Sequence, residues 1–261
     1  MPSLLPKLRQ ENTRVYAGQA LREFRDAALG VIIAAAHDKD PEVRQTVAGL
    51  LRLSDPRTIE PLLSLLADQD PSVREEAATS LYGRTLDEQG VQALITAIGD
   101  ENGCVSGAAL ATLRSVPDDW TLSDFGKAAL PRLLQHLTGC LPFIEKICDP
   151  RAIGALVTFI ERSQRHGEDW AWEYADAAVH ALDSILAANL SKVGTGNLKR
   201  IQQLKGTFEI QCQVSDDEFW HPDVRDPPRS KVISCRNLKK LADQELNRRR
   251  PEGQADTPPD R

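Results

Sequence analysis

The side chains able to do chemistry in this chain are few, and their spacing supports little of it. Five cysteines, Cys104, Cys140, Cys148, Cys212 and Cys235, are odd in number and form no CxxC. They read as reduced thiols packed as small apolar groups, neither a disulfide framework nor a zinc site. The five histidines are followed by Asp38, Leu137, Gly167, Ala181 and Pro222, so the chain has no His-Glu pair and no HExxH. A metal centre needs such ligands to converge at helical spacing. Gly194-Thr195-Gly196 is expected to be a flexible turn, and neither a GxGxxG, a Walker loop nor a GxSxG elbow is present. The expectation is a protein that carries out no reaction and holds no metal or cofactor.

Binding is a better use of the residues present. Three of the four tryptophans lie beside carboxylates, in Pro117-Asp118-Asp119-Trp120 and in Glu168-Asp169-Trp170-Ala171-Trp172-Glu173-Tyr174. Interface hot spots favour Trp and Tyr, and a basic peptide or protein surface would complement the acids. The competing reading is packing: Trp170 and Tyr174 stand at i, i+4 and could close a core, with Trp172 pointing elsewhere. Arg44 and Arg74 are further candidate partner contacts. Lys239, Lys240 and Arg248-Arg249-Arg250 suggest a nucleic-acid contact, against the plainer reading of a solvated helix end.

Such residues must be positioned by helices. The 261 residues are 41% hydrophobic but only 5% aromatic, and Ala, Leu, Val and Ile suit close helix contact. Asp38-Lys39-Asp40-Pro41-Glu42-Val43-Arg44 returns thirty residues on as Asp68-Gln69-Asp70-Pro71-Ser72-Val73-Arg74. A second motif, Asp55-Pro56-Arg57-Thr58-Ile59, returns as Asp149-Pro150-Arg151-Ala152-Ile153. Ile59, Leu62, Leu63 and Leu66 fall at i, i+3, i+4, i+7, one face of a helix; Val73, Ala77 and Leu81 form the face of the next. Asp-Pro opens each helix, with Asp accepting from free N–H groups and Pro lacking the one that would go unpaired. Neither helix can cover its apolar stripe alone, so the pairs must stack.

Two helices in about thirty residues, with D-x-D-P-x-V-R opening the second, resemble the HEAT-repeat family, particularly its short, phycobilisome-lyase-like subtype. The resemblance implies an all-α, right-handed α-solenoid. About five hairpins are expected: 24–36 with 41–52, 56–66 with 71–83, 87–98 with 104–114, 124–138 with 141–148, and 150–163 with 168–188. It also implies that Asp40, Asp70, Arg44 and Arg74 form a ladder between neighbouring units. The third unit departs from the pattern at Asp100-Glu101-Asn102-Gly103-Cys104-Val105-Ser106, and an insertion, 115–124, follows it. Relatives that hold iron do so with repeated His-Glu pairs, absent here. A lyase-like subunit handling a tetrapyrrole is the enzymatic alternative, though no cysteine or histidine marks itself as a chromophore handle.

The solenoid is expected over 1–190. An irregular, partly disordered C-terminal extension is expected over 191–261, with a strand near Phe208–Val214 and a short helix from 234 to 250. The repeat region is acidic, with 18 basic and 27 acidic side chains, and the extension mildly basic, with 14 and 11. An overall charge of −6 disfavours nucleic acid as the partner. The N-terminal residues show no secretory signal and no stretch could span a bilayer, so the expectation is a cytoplasmic interaction scaffold or adaptor for another protein.

Overall fold

The computed structural model describes residues 5–8, 10–23, 26–52, 55–166, 171–211 and 230–249. Fourteen α-helices are described: α1 (Leu5–Leu8), α2 (Glu11–Glu23), α3 (Asp26–Ala35), α4 (Pro41–Leu50), α5 (Ile59–Leu65), α6 (Pro71–Ser80), α7 (Glu88–Ala97), α8 (Gly103–Ser115), α9 (Asp124–Gln135), α10 (Leu137–Ile147), α11 (Ile153–His166), α12 (Ala171–Asn189), α13 (Thr195–Gln203) and α14 (Arg236–Arg248). One antiparallel ribbon, β1 (Thr207–Gln211) with β2 (Ser230–Ser234), pairs Thr207 with Ser234 and Gln211 with Ser230. The chain forms two compact units, Met1–Gly139 and Cys140–Arg261. All ten helices expected in the five hairpins are present, α10 beginning just before the boundary between units.

The first unit is a stack of helical hairpins. Within it α3 packs on α4, α5 on α6 and α7 on α8. The second helices form a row in which α4 packs on α6 and α6 on α8, and the first helices form another, α5 on α7 and α7 on α9. The row also starts earlier than expected: α1 and α2 make a hairpin, and α2 packs on α4 as a second helix would. Equivalent positions fill the seam between second helices. Val43, Val73 and Val105 are buried, as are Val47, Ala77 and Ala109, then Leu51, Leu81 and Leu113. Ala77 and Ala109 in the middle set are small and let the helix backbones approach closely there. At one level the seam is polar: Thr112 is buried and its hydroxyl donates to the Ala78 carbonyl of the preceding second helix at 2.8 Å.

The face expected on α5 is shifted in phase. Leu62, Leu65 and Leu66 are buried while Ile59 and Leu63 are only partly covered. A 3₁₀ turn, Pro56–Thr58, precedes α5, as Pro150–Ala152 precedes α11. Thr58 is buried with its hydroxyl donating to the Asp55 carbonyl at 2.7 Å. In the matching segment of the second unit, Ile153, Leu156, Val157 and Ile160 are all buried on α11.

In the second unit α11 pairs with α12, and the hairpin pattern continues past residue 191, where the sequence had suggested it stops. The helix α13 packs on α11 and α14 on α12, while α13 and α14 pack on each other. They run antiparallel, since Lys239 Nζ reaches the Leu204 carbonyl at 2.9 Å at one end and Arg249 reaches the Val193 carbonyl at 2.7 Å at the other. This is a helical hairpin whose connecting loop contains the β1–β2 ribbon, so its two halves lie far apart in sequence. Arg200 fastens it to α11 through Glu161 at 2.7 Å and Thr158 at 2.9 Å, and Asn237 fastens it to Asp183 of α12 at 2.6 Å. The expected helix over 234–250 is α14, and the described part of the expected strand is β1. Residues 212–229 and 250–261, with Cys212 and Arg250, lie outside the described residues.

Of the cysteines read as buried, Cys140 and Cys235 are, and burial pushes the Cys235 thiol up to about 11. Cys104 is exposed at the start of α8 and Cys148 is half-buried. Cys148 ends α10 in the left-handed region at φ 52°, its N–H donating to the Ile144 carbonyl at 3.2 Å. Glycine is the residue that such a helix stop favours. Cys148→Gly is therefore expected to raise the stability of the second unit by about 0.5–1 kcal/mol. Chemical denaturation followed by circular dichroism measures it, and a loss of stability would contradict the assignment of strain.

Candidate partner-binding site

The repeated D-x-D-P sequence builds a turn of nested hydrogen bonds before each second helix. Asp38 accepts from the Asp40 N–H at 3.0 Å, and Asp40 caps α4 by accepting from Glu42 at 3.0 Å. Asp68 and Asp70 repeat this at 2.9 Å each, and Asp100 and Asn102 do so at 2.9 Å each. The arginine inside each second helix then closes the loop and reaches the next unit. Arg44 donates to its own loop carbonyl at Asp38, at 2.8 Å, and bidentately to Asp68 at 2.7 and 2.8 Å. Arg74 donates to the Asp68 carbonyl at 2.9 Å and bidentately to Asp100 at 2.7 and 2.9 Å.

The ladder is therefore real, but its acids are Asp68 and Asp100. Asp40 and Asp70 are helix caps instead, because the first Asp of each D-x-D lies on the side facing the preceding arginine. Arg44 and Arg74 have side chains 16% and 13% exposed and their donors are engaged within the chain, so neither is placed to contact a partner. The DPR motif is local: Arg57 folds back on Asp55 and Arg151 on Asp149.

The ladder is expected to make the first unit acid-sensitive. Burial pushes the Asp68 carboxyl up, but the hydrogen bonds from Arg44 and Asp70 outweigh it and leave it below its ordinary 3.8. The bond from Arg74 lowers Asp100 in the same direction. Carboxyls depressed on folding contribute stability that is complete above the unfolded value and is lost as pH falls through the folded one. The thermal midpoint of the first unit should hold steady from neutral pH to about 5 and fall below about 4. In Asp68→Asn the fall should be shallower. An acid profile unchanged by that substitution would contradict the role given to the pair.

The ladder stops at Asp100, because Ser106 stands where an arginine would continue it and turns its hydroxyl to the Ile98 carbonyl at 2.6 Å. The insertion then follows. Asp118–Leu122 forms a 3₁₀ segment, held by the Thr121 hydroxyl on the Asp118 carbonyl at 2.6 Å. The Ser123 hydroxyl donates to the Trp120 carbonyl at 2.7 Å and accepts from Gly126, capping α9. The close approach of α9 requires glycine at 126, where a Cβ would lie 2.6 Å from the Trp120 carbonyl oxygen and 2.7 Å from that of Thr121.

Between this segment and the loop entering α7 lies an open cleft of about 450 Å³. Its apolar lining is Leu86, Val91, Val116, Pro117 and Trp120, and its carboxylates are Asp87, Glu88 and Asp119. Trp120 is 7% exposed and meets Phe125 edge to face at 6.1 Å. It is core at the base of the cleft as well as lining. Asp119 is exposed at the cleft, and Asp118 is half-buried and does not line it. Of the second aromatic–acidic segment, Trp170 lies outside the described residues, Trp172 lies on α12, and Tyr174 is half-buried. Asp87 and Glu88, which the sequence reading did not single out, border the insertion only in three dimensions. Asp87 is recognisable in the sequence as the cap of α7, accepting from Gly90 at 2.9 Å.

Of the basic residues at the C-terminal end, Lys239, Arg248 and Arg249 are engaged within the chain. Arg248 and Arg249 hold Glu245, whose carboxyl they lower to about 2, and Arg249 also donates to carbonyls at Val193 and Ser191. Among the described residues no group of three or more His, Cys, Asp or Glu is placed to hold a metal ion, and no helix is long and apolar enough to cross a membrane.

Paired helices stacked in two rows and joined by a loop ladder define a helical-repeat solenoid. The family model for HEAT repeats matches residues 1–81, 31–114 and 59–142, together more than half of the chain. The chain belongs to the HEAT-repeat family. That model describes the repeat and does not distinguish the lyase-like subtype. Among solved structures, the chain is similar to two engineered proteins, both structural-genomics targets with crystal structures. One is 20% identical, covering 71% of this chain and 96% of its own, with a TM-score of 0.48. The other is 18% identical, covering 94% of this chain and 67% of its own, with a TM-score of 0.49. No curated protein matches the chain.

Proposed function

We propose that this chain is a non-enzymatic, cytoplasmic scaffold that binds another protein, and that the insertion after the third expected hairpin forms part of its contact surface. The observation that carries the reading is the cleft beside Asp119 and Trp120. Insertions between repeats map to one face of a solenoid and often join its binding surface. Here the insertion lies where the ladder ends, and it pairs an apolar base with exposed acids. A partner with a basic surface or peptide complements that chemistry, and the negative balance of residues 1–190 attracts one. The four described cysteines are free thiols, in keeping with a reducing compartment.

Asp119 is a better probe than Trp120, since truncating a tryptophan that is 7% exposed would also disturb packing. The tagged chain should capture a defined protein from its own source, and the purified pair should reassemble at fixed stoichiometry. Asp119→Lys should weaken that pair by roughly tenfold with an unchanged thermal midpoint. A chain that captures nothing specific would contradict the scaffold reading. Undiminished binding by Asp119→Lys would remove the insertion from the contact surface.

A further inference from the structure

We infer that the cleft takes an arginine or lysine side chain from an extended segment of the partner, its aliphatic stem on the apolar base and its charge at the acidic mouth. The inference rests on the scaffold reading and makes its chemistry specific. Val91 at 2%, Val116 at 6% and Trp120 at 7% exposure present an apolar base, and Asp87, Glu88 and Asp119 line the same cleft. Arginine and lysine are the natural side chains with an apolar stem and a cationic end. Two of the acids are held in place. Asp87 is fixed by its cap bond to Gly90 at 2.9 Å, and Asp119 accepts from the Trp120 N–H at 3.1 Å. Each bond uses one oxygen and leaves the charge in place.

The uncompensated charge is the telling feature. Asp55, Asp68, Asp100, Asp149, Glu161 and Glu245 are each paired with an arginine of this chain. Asp87, Glu88 and Asp119 have no basic partner among the described residues. The N-terminal end of α7 supplies about half a positive charge at most, which three carboxylates exceed. An acidic segment would therefore be repelled. A volume of about 450 Å³ exceeds a single side chain and leaves room for neighbouring residues of an extended peptide.

The test uses the full chain and two dye-labelled nonapeptides with the same glycine, serine and leucine frame, one carrying two arginines and the other two glutamates. Fluorescence anisotropy should show saturable binding of the arginine peptide, weakened by salt, and none of the glutamate peptide. The double variant Asp87→Asn, Asp119→Asn should lose roughly tenfold in affinity. Asparagine at 87 still caps α7, and Asp119→Asn alone gives the readout should the double variant melt early. Equal binding of the two peptides, binding of neither, or full affinity in the variants would overturn the inference. The captured partner, tested on the same double variant, separates the two ideas. A partner retained while the peptides fail leaves the scaffold and removes the cleft, whereas failure to capture any partner removes the scaffold.

Discussion

Asp68→Ala is expected to lower the local stability of the first unit by about 2–3 kcal/mol. The substitution removes the bidentate acceptor of Arg44, at 2.7 and 2.8 Å, and the acceptor of the Asp70 N–H at 2.9 Å. It leaves a guanidinium that is 16% exposed with carbonyls as its remaining partners. Breaking one side of a largely buried pair costs more than the pair contributes, because the remaining charge stays desolvated. Asp68→Asn keeps an oxygen for the Asp70 N–H and should lose less. The two compact units need not unfold together, so hydrogen exchange of α4 and α6 amides is the suitable readout. Losses below about 0.5 kcal/mol would reclassify the ladder as an ordinary surface ion pair.

Gly126→Ala should destabilise the insertion by about 1–3 kcal/mol or more. The added methyl would stand 2.6 Å and 2.7 Å from two backbone carbonyl oxygens and 2.8 Å from the Thr121 Cα. No side-chain rotation relieves a contact with backbone, so α9 or the 3₁₀ segment must shift. Either shift displaces Trp120 from Phe125 and distorts the base of the cleft. The variant should show faster exchange in 117–127 and weaker partner binding together. Normal exchange in that stretch would contradict the close approach. Gly107, where an added Cβ meets nothing within 4 Å, is the control: Gly107→Ala should be tolerated.

Local rules made much of this fold readable. Asp-Pro at a helix start, apolar residues at helical spacing and a thirty-residue echo of D-x-D-P-x-V-R placed the ten helices of the expected hairpins within a few residues. Long-range consequences were harder to read. The α13–α14 hairpin was hidden because the β1–β2 ribbon and eighteen further residues, 212–229, separate its halves. The α1–α2 hairpin was missed since α1 has only four residues and shows no periodicity. Which Asp meets Arg44 depends on how one loop lies over the next, and two aspartates spaced by one residue look equivalent in a sequence.

The site divides the same way. The Asp119–Trp120 insertion stood out by composition, because tryptophan is scarce in this chain. Asp87 and Glu88 did not, since they join it across a loop some thirty residues away. Arg44 and Arg74 drew attention for their charge, yet that charge serves the stacking of hairpins. Trp120 combines both roles, as base of the cleft and as part of the core.

Hydrogen exchange on the full chain, with and without its purified protein partner, decides whether the cleft is the contact surface. A partner seated in the cleft should slow exchange in residues 84–92 and 116–123, on both sides of the cleft, with smaller changes along α4 and α6. Protection confined to the second unit or to the second-helix row, with those two stretches unaltered, would contradict it.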